Sequence, residues 1–240
     1  MAINVETLKT RALTALVFVG VMLVGLLWNQ WSFIILFTVI HFGCWYEFVK
    51  LMKKIYGEQY LKYCLFGLVY ITLPILMIID LFYLGKFFNG NIHGNSIYDV
   101  PYSVVLPFSI IISIWINDTM AYLVGSVIGK TPFSKISPKK TWEGTIGGVI
   151  LSAIVTGIFA FLLNAWNYLD WPFYKWIILA LVAAVFGTIG DLLESKLKRM
   201  ANVKDSGSIM PGHGGFLDRF DSLLVAVPFV WLYVKLFIKQ

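Results

Sequence analysis

The sequence predicts an all-α polytopic membrane protein with about seven transmembrane helices, within a range of about six to nine, and a cytoplasmic N-terminus. Three observations carry this reading. Of 240 residues, 59% are hydrophobic and 13% charged, where a soluble domain carries about a quarter charged residues. The apolar residues fall into runs long enough to cross a bilayer core as helices. Lys and Arg are unevenly shared between alternate loops.

The candidate spans, in order, are about 12–28, 31–49, 61–84, 103–128, 144–165, 173–192 and 221–238. No small-residue cleavage site follows the first, so it is expected to persist as a helix. The second begins just after Asn29, which makes the first pair a tight hairpin. Pro74 is expected to tilt or break the third. The fourth would extend about 40 Å as a helix. Ser137-Pro138 reads as a helix start ahead of the fifth. The sixth loses its apolar character after Gly190, and its helix is expected to continue past the membrane surface. Residues 1–240 read as a single integral membrane domain, with N-terminal spans in 1–100 and a catalytic half in 101–240. No internal repeat is visible, which counts against many secondary-transporter folds.

A cytoplasmic N-terminus places fifteen of the nineteen Lys and Arg on one side. They are Lys9 and Arg11; Lys50, Lys53, Lys54 and Lys62; Lys130, Lys135, Lys139 and Lys140; and Lys196, Lys198, Arg199, Lys204 and Arg219. Lys86, Lys175, Lys235 and Lys239 fall on the other side. The net charge of +6 is therefore assigned to cytoplasmic loops, with no nucleic-acid partner. Cys44 and Cys64 lie in or beside apolar runs with no metal-ligand spacing.

Ten of the charges fall within 31 residues, from Asp191 to Asp221. Charge against a bilayer is expensive, so such clustering marks a candidate site. Asp191, Glu194, Ser195 and Lys198 share one helix face. Asp218 and Asp221, three apart, open the seventh span. Carboxylate pairs at two helix ends suit one or two divalent cations, since hard oxygen ligands select Mg²⁺ or Mn²⁺. Between them, Pro211-Gly212-His213-Gly214-Gly215 allows a tight backbone able to turn N–H groups toward an anion. Lys198, Arg199, Lys204 and Arg219 could complete a polyphosphate site. A histidine in such a turn is more often conformational than a ligand.

Two upstream segments join this cluster. Asn117, Asp118, Thr119 and Tyr122 interrupt the apolar fourth span. They read either as a polar knot between helices or as the wall of a substrate cavity. In the loop from Gly129 to Gly144, a cytoplasmic loop explains Lys139 and Lys140. Thr141 and Glu143 crowd the following helix start, and lysines beside a helix N-terminus suit a phosphate. The residues thus describe a metal-dependent, phosphate-binding site at the cytoplasmic membrane face. The chemistry would be phosphoryl or nucleotidyl transfer by positioning and charge neutralisation, with a lipid as one substrate.

The C-terminal half resembles the phosphatidate cytidylyltransferases, or CDP-diacylglycerol synthases. The pattern stands here as Ser195, Lys198-Arg199, Lys204-Asp205, Gly207, Pro211-Gly212-His213-Gly214-Gly215 and Asp218-Arg219-Phe220-Asp221. Ahead of it come Asp118-Thr119 with Ala121-Tyr122 and Gly125, then Ser137 to Gly144, then Gly190-Asp191-Leu192. The likeness covers about 117–224; Lys196, at a position expected to be apolar, departs from it. The resemblance implies transfer of the cytidylyl group of CTP to phosphatidate, in the cell (inner) membrane, by a homodimer. It implies Asp191 and Asp218 as ligands of Mg²⁺, with a monovalent cation such as K⁺ beside it; Asp221 and Glu194 are assigned to the same metal centre, behind those two. Lys139, Lys198 and Arg199 join the catalytic set. Asp118, Lys140, Thr141, Glu143, Ser195, Lys204, Asp205, His213, Gly214, Gly215 and Arg219 form the expected substrate-binding set. Rival readings are a CTP-dependent synthase on an archaeal-type ether lipid, a CTP-dependent polyprenol kinase and a cation transporter. The Asp-Gly-x-x-Ala-Arg motif of the CDP-alcohol phosphotransferases is absent.

Overall fold

The computed structural model describes residues 5–83, 101–165, 171–209 and 214–238. Among them there is no β-strand beyond one isolated bridge between Pro132 and Thr141. Helix α1 (Val5–Leu27) turns directly into α2 (Gln30–Tyr56). Asn29 makes that corner possible. Its side chain accepts from Ser32 N at 2.9 Å, and Ser32 Oγ accepts from Asn29 N at 3.1 Å. This reciprocal cap satisfies N–H groups that the first helical turn leaves without partners.

The third span is assembled from pieces: a 3₁₀ turn (Gly57–Gln59), α3 (Tyr60–Cys64), a π-turn (Leu68–Thr72) and α4 (Leu73–Phe82). The break expected at Pro74 falls just before it. Proline lacks an N–H and its ring crowds the carbonyl four residues back, so the distortion is absorbed in the preceding turn. Thr72 pins that turn to α2, where His41 Nε2 and Trp45 Nε1 each lie 3.0 Å from its hydroxyl.

Helices α5 (Pro101–Ile128), α6 (Trp142–Ala165), α7 (Phe173–Met200) and α8 (Leu217–Tyr233, extended by a π-turn at Val234–Ile238) complete the bundle. Among the described residues, five helical segments are long and apolar enough to cross a membrane: Gln30–Cys64, Val104–Ile128, Trp142–Ala165, Phe173–Met200 and Leu217–Phe237. Leu13–Leu27 and Leu68–Phe82 are shorter apolar helices. All seven expected runs are helical, and the protein is a multi-pass membrane protein. The seventh begins earlier than expected, at Leu217, so Asp218 and Asp221 lie inside its first turns. The sixth continues as a single helix to Met200. The helix start expected at Ser137-Pro138 is a turn instead, with Lys140 N on Ser137 O at 3.1 Å; α6 begins at Trp142.

Small residues set the crossings that frame the site. A Cβ added at Gly148 would sit 2.7 Å from Asn117 O, so α6 lies directly on α5. A Cβ at Gly190 would collide with Asp221 O and lie 3.0 Å from Ser222 Cα. Where hydrophobic force between helices is weak, such close backbone approach supplies the packing. It brings the Asp191 end of α7 beside the start of α8. At the opposite end of the bundle, Asp80 on α4 is fully buried, accepts from Trp231 Nε1 at 2.7 Å and pairs with Lys235 at 3.0 Å.

Gly190→Ala should lower stability by about 1–3 kcal/mol, the usual cost of overpacking a filled contact. Gly20, which has nothing within 4 Å of an added Cβ, is the control, and Gly20→Ala should be neutral or stabilising. Thermal unfolding of both variants in detergent checks the contrast; equal midpoints would contradict the α7–α8 contact.

Candidate active site

A cavity of about 480 Å³ opens between α5, α7 and the loop before α6. Its walls include Asp118, Tyr122, Lys139, Lys140, Thr141 and Asp191. Lys140 and Asp191 form an ion pair across it, each about a quarter exposed. Residues expected from three separate sequence segments thus meet at one opening.

The loop that carries the lysines is held by its own backbone. Phe133 N donates to Lys140 O at 2.8 Å and Trp142 N to Thr131 O at 3.0 Å. Glu143 closes the base, its carboxylate accepting from Lys130 N and Thr131 N at 3.2 Å and from Thr131 Oγ1 at 2.8 Å. These bonds direct the carboxylate at the loop backbone, and Glu143 is not among the cavity-lining residues. Thr141 accepts from Gly144 N at 3.1 Å, the capping contact that starts α6.

A second cluster lies where α7 meets α8. Lys198 Nζ donates to Asp218 Oδ1 at 2.6 Å and also pairs with Glu194, whose side chain is wholly buried. The other Asp218 oxygen accepts from Ser206 N at 2.9 Å, Ser206 Oγ at 2.9 Å and Gly215 N at 2.8 Å. Gly214 makes this possible: its φ is 86°, in the left-handed region that favours glycine, and a Cβ there would sit 2.5 Å from Asp218 Oδ2. Asp221 is buried and accepts from Ser222 N at 2.6 Å.

Ser195 Oγ donates to Asp191 at 3.3 Å along α7. Arg199 reaches the Val203 carbonyl at 3.5 Å. Lys204 and Asp205 are exposed on the loop after α7, and Arg219 is exposed on the first turn of α8. His213, with Pro211 and Gly212, lies outside the described residues.

One residue at the centre of this arrangement escaped the sequence reading. Glu47, in the C-terminal half of α2, is 1% exposed. Its carboxylate accepts from Ser206 Oγ at 2.6 Å, Phe216 N at 3.0 Å and Leu217 N at 2.9 Å. The last two are the leading N–H groups of α8, so a helix from the N-terminal half caps a helix 170 residues away in sequence. Cβ atoms at Gly207 or Gly215 would collide with the Glu47 carboxylate. A lone acid in the run HFGCWYEFVK was the available signal.

Among the described residues, no three of His, Cys, Asp and Glu converge as a ready-made metal cage. The donor chemistry still fits Mg²⁺, which is commonly held by one or two carboxylates and completed by substrate phosphates and water. Asp191 opens onto the cavity, and Asp118 shares its wall.

Fold and site together define a class: a multi-pass membrane protein with a carboxylate- and lysine-lined pocket, fit for phosphates, at one end of its helices. The chain belongs to the cytidylyltransferase family, whose model matches residues 68–237. It is 42% identical over 137 residues to a phosphatidate cytidylyltransferase of Bacillus subtilis (strain 168), covering 57% of this chain and 49% of that one. It is 46% identical over 125 residues to one of Synechocystis, covering 51% and 41%. A phosphatidate cytidylyltransferase of Rickettsia bellii is 31% identical over 239 residues, covering 97% of this chain and 93% of its own. The alignments to the first two span about half the length of those relatives or less.

Replacing Lys198 by Met should strand two buried carboxylates and cost about 3–5 kcal/mol. Adding Glu194→Gln should return part of that loss, because one of the stranded charges is removed. Thermal unfolding of single and double variants checks this; a Lys198→Met protein as stable as wild type would contradict the shared pairing.

Proposed function

We propose that the chain transfers the cytidylyl group of CTP to phosphatidate, giving CDP-diacylglycerol and pyrophosphate, at the cytoplasmic face of the cell (inner) membrane. The observation that carries this is the meeting of Lys139, Lys140, Thr141, Asp118 and Asp191 around one cavity, beside the Asp218–Lys198–Glu194 cluster. The names of the aligned relatives supply the substrates, and the cation-rich loops supply the sidedness. The family resemblance is the support for a homodimer.

A phosphate oxygen of phosphatidate attacks the α-phosphorus of CTP. The bond from that phosphorus to the bridging oxygen breaks, and pyrophosphate leaves. The nucleophile is already an anion, so the residues need not supply a strong base. Their work is to bind, orient and balance charge. Lys139 and Lys140 border the cavity where a triphosphate would lie, with the N-terminus of α6 just behind Thr141. Lys198 holds Asp218 and Glu194 in one register. Asp191 and Asp218 would hold Mg²⁺, which when bound neutralises triphosphate charge. Arg199, Lys204 and Arg219 supply further cations at the same end.

Purified protein supplied with phosphatidate, Mg²⁺ and CTP labelled at the α or the γ phosphate tests the reading. Label should reach lipid from α-labelled CTP only, with pyrophosphate released. Transfer of the γ label would instead make the protein a kinase. Asp191→Asn should lower turnover by more than about 100-fold. It should cost no more than about 1 kcal/mol of stability, since the pair it breaks is partly exposed. A fully active Asp191→Asn protein would remove Asp191 from the chemistry.

A further inference from the structure

We infer that Glu47, acting through Ser206, positions Asp218 for the transfer reaction. The inference rests on the cytidylyl-transfer reading and goes beyond it by assigning a role in the N-terminal half. Ser206 Oγ lies 2.6 Å from Glu47 Oε2 and 2.9 Å from Asp218 Oδ2. One hydroxyl therefore stands between two carboxylates on different helices. Its single proton serves one of them at a time, and the Ser206 backbone N–H fixes the serine to Asp218 at 2.9 Å in addition.

The surroundings leave this chain of contacts little room to drift. Glu47 also holds Phe216 N and Leu217 N, the two residues before Asp218. The position of α8 along its own axis is thus tied to α2. Gly207 and Gly215 press against the same carboxylate, where any side chain would collide. Asp218 is gripped on its far side by Lys198 at 2.6 Å. Glu47 itself does not line the polar cavity. It is a positioning residue: it reaches the reacting groups only through Ser206 and the start of α8.

A cap that merely stabilised α8 would affect the amount of folded protein and nothing else. A positioning role makes a sharper demand, tested with Ser206→Ala, Glu47→Gln and their combination. Ser208→Ala, at an exposed serine two residues on, is the control. Ser206→Ala should lower kcat about 10–100-fold and raise the half-saturating Mg²⁺ concentration by a similar factor, as loss of an outer partner of a ligand does. KM for phosphatidate should stay within about twofold, because ground-state lipid binding is not what is removed. The combined variant should be no slower than the slower single one, since both changes cut the same link. Hydrogen exchange of the Gly215 amide, which donates to Asp218, gives a readout independent of turnover and should accelerate in both single variants.

Unchanged kcat and Mg²⁺ requirement per folded molecule in Ser206→Ala would overturn the inference, as would multiplicative losses in the combined variant. If wild-type protein transfers no label, the cytidylyl-transfer reading falls by itself. The positional claim is then judged on exchange alone: acceleration at Gly215 in both variants sustains the link to Asp218, and wild-type exchange rates in both refute it.

Discussion

The buried carboxylate of Glu47 is the contact on which the site's geometry depends. An unpaired charge in a low-dielectric interior is costly, and the partners found for it are two N–H groups at the start of α8 and one hydroxyl. The positive end of a helix dipole is the natural counterweight for an anion. The consequences radiate from that choice. The segment around 207 and 215 must be glycine to pass the carboxylate. The start of α8 is fixed against α2. Asp218 and Asp221, both within the opening turns of α8, inherit that placement.

From there the α7–α8 crossing carries the order onward. Gly190 removes the side chain that would hold the helices apart, and Lys198 spans the gap to grip carboxylates on both. Asp118, Asp191, Glu194, Asp218 and Asp221 gather with Glu47 at this end of the bundle. Two lysines, Lys140 and Lys198, pair with three of them. Acids gathered this close to a membrane are expensive unless they are paired.

The fold was legible because span length and loop charge are set by the bilayer and need no tertiary knowledge. The Asp118, Lys139–Lys140 and Asp191 segments, which line one cavity, were legible as candidates for the same reason: polar side chains stand out against an apolar background. What stayed hidden depended on pairings between distant segments. Glu143 looked like a phosphate-side residue from its place at a helix mouth, but its partners are the amides of Lys130 and Thr131. Ser137-Pro138 has the local chemistry of a helix start, yet the antiparallel contact between Pro132 and Thr141 holds that segment as a loop. Glu47 was passed over as part of an apolar run, since its three donors lie about 160 to 170 residues away.

Two fully sequestered acids of the bundle, Asp80 and Glu47, are held in different ways. Asp80, at the opposite end, is neutralised by Lys235 and steadied by Trp231. That solution joins helices firmly and consumes a cation. At the Glu47 end Lys198 already serves two carboxylates, Glu194 and Asp218, and pairing Glu47 in the same way would occupy a further cation. Backbone amides hold the anion without using any such side chain. Among the described residues Lys139 and Lys204 form no ion pair, so their charge stays directed outward. A dipole-held carboxylate therefore reconciles two demands at one end of the bundle: firm placement of Asp218, and Lys139 and Lys204 left outside ion pairs.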